Sequence, residues 1–128
     1  MGKLSVLRVG TLNCQGLNDF YKRHAVLDYL QNSSISIFFL QETKLKPEHE
    51  IKYSREWNVG PCIFNSVTGR KSGTSLLLKG PGIRFCEGSK MMDIEGKVIA
   101  VDVEIFGSKF HVVNSYGPNE SGENTISK

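Results

Sequence analysis

The sequence predicts an α+β fold, mostly antiparallel sheet with one N-terminal helix packed outside. Three observations carry that prediction. The chain opens with a strand–helix–strand pattern. The stretch Ile35 to Glu42, ISIFFLQE, is apolar in five of its first six residues and free of Gly and Pro, which reads as a strand covered on both faces. After Trp57, strand-like runs follow one another, separated by turn residues.

The first run, Leu4 to Asn13, alternates Leu7-Val9-Thr11 against Val6-Arg8-Gly10-Leu12 and predicts a strand with one better-buried face. Cys14 to Asp19 is loop-like, and Asn18 or Asp19 can cap the helix that follows by offering a side-chain oxygen to free amides. From Phe20 to about Gln31, Phe20, Leu27 and Leu30 share one face with Val26 beside them. His24 lies near that face as a packing residue. Asn32-Ser33-Ser34 ends the helix. The apolar stripe of ISIFFLQE then stops at Gln41 and leaves the Glu42 carboxylate at its mouth.

Lys46-Pro47-Glu48 opens a short polar helical segment through Arg55. Strands are expected at Cys62–Val67, Thr74–Lys79, Ile83–Glu87, Val98–Phe106 and Phe110–Tyr116. Between them stand Thr68 to Gly73, Gly80-Pro81-Gly82, Glu95-Gly96 and Gly107-Ser108, the last fitting a tight two-residue hairpin. In Val98–Phe106, Ile99, Val101, Val103 and Ile105 share one face, and Asp102 and Glu104 form the wet one. In the next run Phe110, Val112, Asn114 and Tyr116 oppose His111, Val113 and Ser115. Glu120 to Lys128 is polar, without periodicity, and reads as loop.

At 128 residues the chain is one domain at most. A net charge of +3 is compatible with a polyanionic partner but does not require one, because the basic residues come in ones and twos. Cys14, Cys62 and Cys86 are widely spaced without a CxxC, the usage of a reducing compartment, so no disulfide-linked partner is expected. No apolar run is long enough to cross a membrane, and an intracellular protein without a membrane partner is the expectation.

Three strand ends carry similar equipment: Asn13, Glu42, and Tyr116 with Asn119. Magnesium prefers oxygen ligands, keeps several waters and is often held by one or two carboxylates plus a phosphate. Glu42 with the amide oxygen of Asn13 is enough of a platform for it. The phenol of Tyr116 and the amide of Asn119 could donate to phosphate oxygens.

At these residues the chain resembles the endonuclease/exonuclease/phosphatase superfamily, which includes exonuclease III, the abasic-site endonucleases, DNase I and the endonucleases of LINE-type retrotransposons. The resemblance rests on Thr11-Leu12-Asn13-Cys14-Gln15-Gly16-Leu17, Phe39-Leu40-Gln41-Glu42-Thr43, Ser72-Gly73-Thr74-Ser75-Leu76-Leu77 and Asn114-Ser115-Tyr116-Gly117-Pro118-Asn119. It spans nearly the whole chain. Lys22-Arg23 and Asp93-Ile94-Glu95-Gly96-Lys97 bring it nearest the retrotransposon branch.

The resemblance implies a partial four-layer α/β sandwich, with residues 1–128 as the N-terminal part of such a domain. It implies Mg-dependent phosphodiester hydrolysis on DNA, with manganese able to substitute, and a nuclear location for a retrotransposon type. Asn13 and Glu42 match the metal-side residues, with Glu42 the direct ligand. Glu42 and Tyr116 match the catalytic pair beside the scissile phosphate, and Tyr116 and Asn119 the phosphate-binding rim.

Family members continue into a second half that brings an Asp-x-Asn pair and a later Asp-His pair, and nothing after Asn119 here supplies them. A positioned base contributes roughly 10²–10⁴-fold, so the chain alone is expected not to be a competent nuclease. Half a sandwich also exposes a sheet face, through which copies could self-associate. Two other readings follow: a non-catalytic DNA-binding or interaction remnant, and a phosphoesterase acting on inositol or sphingolipid head groups.

Overall fold

The computed structural model describes residues 7–69, 72–117 and 123–127. It is an α+β arrangement in which two sheets face each other and two helices cover one of them.

The first sheet contains β1 (Val9–Asn13), β2 (Ile37–Gln41), β3 (Cys62–Asn65) and β4 (Thr74–Leu78), in the order β1-β2-β4-β3. β1 runs parallel to β2, and the helix α1 (Phe20–Gln31) makes the crossover between them. The other pairings are antiparallel. Every residue of β2 is buried, as the unbroken apolar run requires. Period two then divides the strand. Phe38 and Leu40 point toward the helices with Phe64 and Leu77, while Ile37 and Phe39 point toward the second sheet with Ile63, Leu76 and Leu78.

The second sheet contains β5 (Ile83–Phe85), β6 (Met91–Met92), β7 (Val98–Ile105), β8 (Ser108–Ser115) and β9 (Glu123–Ser127). β7 is central, pairing with β8 on one side and with β5 and β6 on the other. Ile99, Val101, Val103 and Ile105 all enter the core between the sheets, with Ile83 and Val112. Asp102 and Glu104 face outward, as expected, against His111 at 2.9 Å and Arg84 at 2.8 Å.

Asp19, the second of the two expected caps, accepts the amide of Lys22 at 2.8 Å and starts α1. A single 3₁₀ turn at Pro47–His49 leads into α2 (Glu50–Trp57). Trp57 is fully buried and donates its indole N–H to the carbonyl of Leu78 at 2.9 Å, which fixes α2 against β4. Burial of a side chain this large contributes about 3 kcal/mol.

Several expectations need correction. β1 is mostly exposed rather than buried on one face, because it is an edge strand: Val9 and Leu12 face solvent. Residues 4–6 of that expected strand lie outside the described residues. On α1 the buried set is Arg23, Leu27 and Leu30, and Phe20 is exposed. Arg23 takes the inner place because Glu56 of α2 receives it with two hydrogen bonds, at 2.6 and 3.1 Å.

The hairpin turn is Phe106-Gly107, one residue earlier than expected. Ile105 pairs with Ser108, and both turn residues have positive φ, 50° and 86°. That is the twist a two-residue hairpin needs, and Gly107 supplies half of it at no steric cost. Glu123–Ser127 is not loop but the edge strand β9. Antiparallel backbone pairing needs little apolar content, and Ile126 packs against the core.

Candidate functional site

The site forms where β1, β2 and β8 end. Asn13 closes β1 opposite Gln41 of the parallel neighbour β2, and Glu42 is the next residue. The pairing continues past the strands: Cys14 N–H donates to the carbonyl of Gln41 at 2.8 Å, Gly16 to Glu42 at 2.7 Å, and Leu17 to Thr43 at 2.8 Å. Cys14, Leu17 and Leu45 anchor these two loops in the core beneath the helices. Asn13 and Glu42 therefore lie at adjoining strand ends of one sheet.

The backbone here is held in an unusual shape. Gln15, Glu42 and Lys44 have φ of 52°, 54° and 53° without being glycine. Left-handed conformations at non-glycine residues cost of order 1 kcal/mol each and gather where a surrounding structure imposes them, functional sites above all. Here the imposing element is the entry to β4. Thr43 N–H donates to the carbonyl of Gly73 at 3.1 Å and Lys44 N–H to that of Ser72 at 2.9 Å. Gly73 has φ +120°, and any Cβ there would collide with Thr43 Oγ1, so only glycine permits this approach.

Tyr116 arrives from the other sheet. Its N–H donates to the carbonyl of Lys97 at 2.9 Å, and its phenol donates to Glu42 Oε2 at 2.7 Å. The hydrogen bond to the Glu42 carboxylate, helped by desolvation, raises the phenol's pKa above its ordinary value. Asn13 Oδ1 accepts the amide of Gln15 at 3.2 Å and, as a carbonyl oxygen, keeps a second lone pair. Asn119 lies outside the described residues.

Gln41 and Asn114, which the sequence motifs contain without a role, also serve the site. Asn114 is fully buried and donates to the carbonyls of Leu40 at 3.0 Å and Ser75 at 2.9 Å. Gln41 Nε2 donates to Asn114 Oδ1 at 3.1 Å and to Thr11 Oγ1 at 3.0 Å. These two amides tie β8 to β2 and β4 immediately before Tyr116 and Glu42 emerge. The available signal was an amide at an inward position of a strand, since a buried amide needs partners.

The histidines take no part. His24 stacks on Phe20 and lies 3.5 Å from Glu56, His49 lies against Tyr53, and His111 meets Asp102 on the outer face. Among the described residues no group of three or more His, Cys, Asp or Glu gathers to hold a metal. Glu42 and Asn13 would supply one carboxylate and one amide oxygen, both hard donors, from adjoining strand ends. That set fits a divalent cation such as magnesium, which keeps most of its waters, and does not fit a soft metal. A cavity of about 260 Å³ lies between Asn18, Lys44–Glu48 and Val67–Gly69, and none of Asn13, Glu42 and Tyr116 lines it.

Fold and site thus define a small α+β unit in which Glu42, at a strand end of one sheet, meets Tyr116 of the other. No family model matches the chain. It is 29% identical over 120 residues to a transposon TX1 uncharacterized 149 kDa protein from Xenopus laevis. The alignment covers 91% of this chain and 9% of that protein. No helix among the described residues is long and apolar enough to cross a membrane, and Cys14, Cys62 and Cys86 are all free thiols.

Proposed function

We propose that this chain carries the metal-holding part of a Mg-dependent DNA endonuclease of the endonuclease/exonuclease/phosphatase type, nearest to those of LINE-type retrotransposons. One observation carries the reading: the Tyr116 phenol meets the Glu42 carboxylate at 2.7 Å, with Asn13 on the neighbouring strand end. The likeness to a transposon protein supports the retrotransposon assignment. The notch, and not the fold, carries the function, because a fold of this class hosts many chemistries.

In this reading Glu42 and Asn13 hold magnesium, which when bound offsets negative charge developing on a phosphodiester under attack. Tyr116, with its raised pKa, stays a neutral phenol at physiological pH and can turn from Glu42 to donate to a phosphate oxygen. Asn119 is assigned to the same phosphate rim. Gln41 and Asn114 hold the two strand ends in register, so that acid and phenol address one point. The full sandwich, with a second helix layer over the open face of the second sheet, belongs to this proposal. So does self-association through that face.

The test offers supercoiled plasmid and an inositol-phosphate head group, each with magnesium, to the chain in its natural protein. Nicking that Glu42→Ala abolishes is the expected result. Nicking that survives Glu42→Ala removes Glu42 from the mechanism, and head-group release without nicking moves the substrate to phosphoesters of lipids. Binding of DNA without either reaction leaves a non-catalytic module.

A further inference from the structure

Among the described residues the Tyr116 phenol is the one group that meets the Glu42 carboxylate, donating to Oε2 at 2.7 Å, and no lysine or arginine pairs with that acid. The contact is built from both sides. Glu42 is held at φ 54°, its carbonyl accepts Gly16 N–H at 2.7 Å, and Thr43 N–H donates to the carbonyl of Gly73 at 3.1 Å. Tyr116 N–H donates to the carbonyl of Lys97 at 2.9 Å, and the buried Asn114 just before it ties its strand to the carbonyls of Leu40 and Ser75. Both backbones are fastened, so the pair parts by rotation of side chains. Tyr116 is only half-buried and the space beside Gly117 is open, which leaves the ring room to turn.

A phenol carries one O–H and serves one acceptor at a time. While it serves Glu42 it cannot serve a phosphate oxygen. The O–H dipole also directs its positive end at an oxygen of the carboxylate assigned to the cation, and two positive ends at one acceptor repel. Phenol and cation therefore compete for Glu42, and Glu42 and phosphate compete for the phenol.

We propose that the Tyr116–Glu42 hydrogen bond is a latch, by which the phenol competes with a divalent cation for Glu42 and, once displaced, turns to a phosphate oxygen. This rests on the endonuclease reading and adds a regulation of the same site to it. Either ligand must break the latch, so the second to bind meets it already open. By linkage each then raises the affinity of the other by the same factor. The notch thus favours cation and phosphodiester together over either alone.

The test measures manganese binding to the natural full chain, without DNA, from the electron paramagnetic resonance of free manganese. Tyr116→Phe keeps the ring and loses the O–H, and circular dichroism verifies its fold. It should bind manganese roughly tenfold tighter than wild type, at the site that Glu42→Ala removes, because a hydrogen bond to a charged group no longer opposes the cation. A second reading needs no folded Tyr116 variant. In wild type labelled with carbon-13 at the tyrosine Cζ, magnesium should move the Tyr116 resonance toward its position in metal-free Glu42→Ala. Equal or weaker manganese binding by folded Tyr116→Phe, or a Tyr116 resonance that stays in place while magnesium binds, overturns the latch and leaves the endonuclease reading standing. Absence of Glu42-dependent manganese binding from wild type and Tyr116→Phe alike overturns the metal site, and the latch falls with it.

Discussion

The phenol of Tyr116 reaches Glu42 Oε2 at 2.7 Å across a boundary of 74 residues in sequence, joining the end of β8 in one sheet to the end of β2 in the other. A hydrogen bond to an ionised acceptor is stronger than a neutral one and brings the two sheets to a common point.

Tyr116 should ionise later than an ordinary tyrosine. A raised pKa in the folded state stabilises the fold fully below the unfolded value, about 10, and loses that contribution as pH rises through the folded value. The difference in tyrosinate absorbance between wild type and Tyr116→Phe isolates this group from the other tyrosines. Glu42→Gln should return it toward about 10. An unchanged titration in Glu42→Gln would separate the two side chains in solution.

Asn114→Ala should strip partners from the Leu40 and Ser75 carbonyls and from the Gln41 amide, all inside the fold. Losing these buried hydrogen bonds together should cost about 3 kcal/mol in urea denaturation. The Tyr116 titration in the same variant should move back toward the ordinary range, because the strand end it leaves is no longer held. A stable variant with an unshifted Tyr116 would deny Asn114 its positioning role.

Glu56 and Arg23 form a pair in which side-chain exposure is only 12% and 4%. The hydrogen bonds from Arg23 hold the Glu56 carboxyl below the usual carboxylate range, against the opposing effect of burial. The stabilisation is therefore complete above the unfolded value of about 4.3 and fades as pH falls through the depressed one. Glu56→Gln leaves a buried guanidinium without its counter-charge and should cost about 3 kcal/mol at neutral pH. It should also flatten the acid limb of the stability profile, which thermal melts across that range would record.

Cys14 should be inert in the folded protein. Burial pushes its thiol up to about 12, so thiolate is scarce at neutral pH. Thiol-directed reagents should modify it only under denaturing conditions, and mass mapping after labelling checks this.

Where a strand's apolar pattern determined its burial, the sequence was legible. β2 and β7 came out with the expected faces because a continuous apolar run and a strict alternation each allow one arrangement. The ends of the expected strands fell within one or two residues, except that β1 begins at Val9 with residues 7 and 8 outside it, and β6 and β9 were not expected. What could not be read was neighbourhood. β1 has the composition of a covered strand, yet lies at an edge where Val9 and Leu12 meet water. β9 has almost no apolar signal, because backbone pairing with β8 defines it. Arg23 is buried because Glu56, on another helix, receives it.

At the site the residue types and their order were visible, and so was the need for strand ends to meet. The left-handed backbone at Glu42 and Lys44 and the Gln41–Asn114 tie were not, because both depend on contacts between segments far apart in sequence.

The central claim, that Asn13 and Glu42 share one divalent cation within reach of Tyr116, is tested most directly by adding manganese, a paramagnetic stand-in for magnesium, and recording NMR line broadening. The account predicts broadening centred on the Asn13 side-chain amide, Glu42 and the Tyr116 ring, displaced by excess magnesium and absent in Glu42→Ala. Broadening centred on another part of the surface, or unchanged in Glu42→Ala, would contradict it.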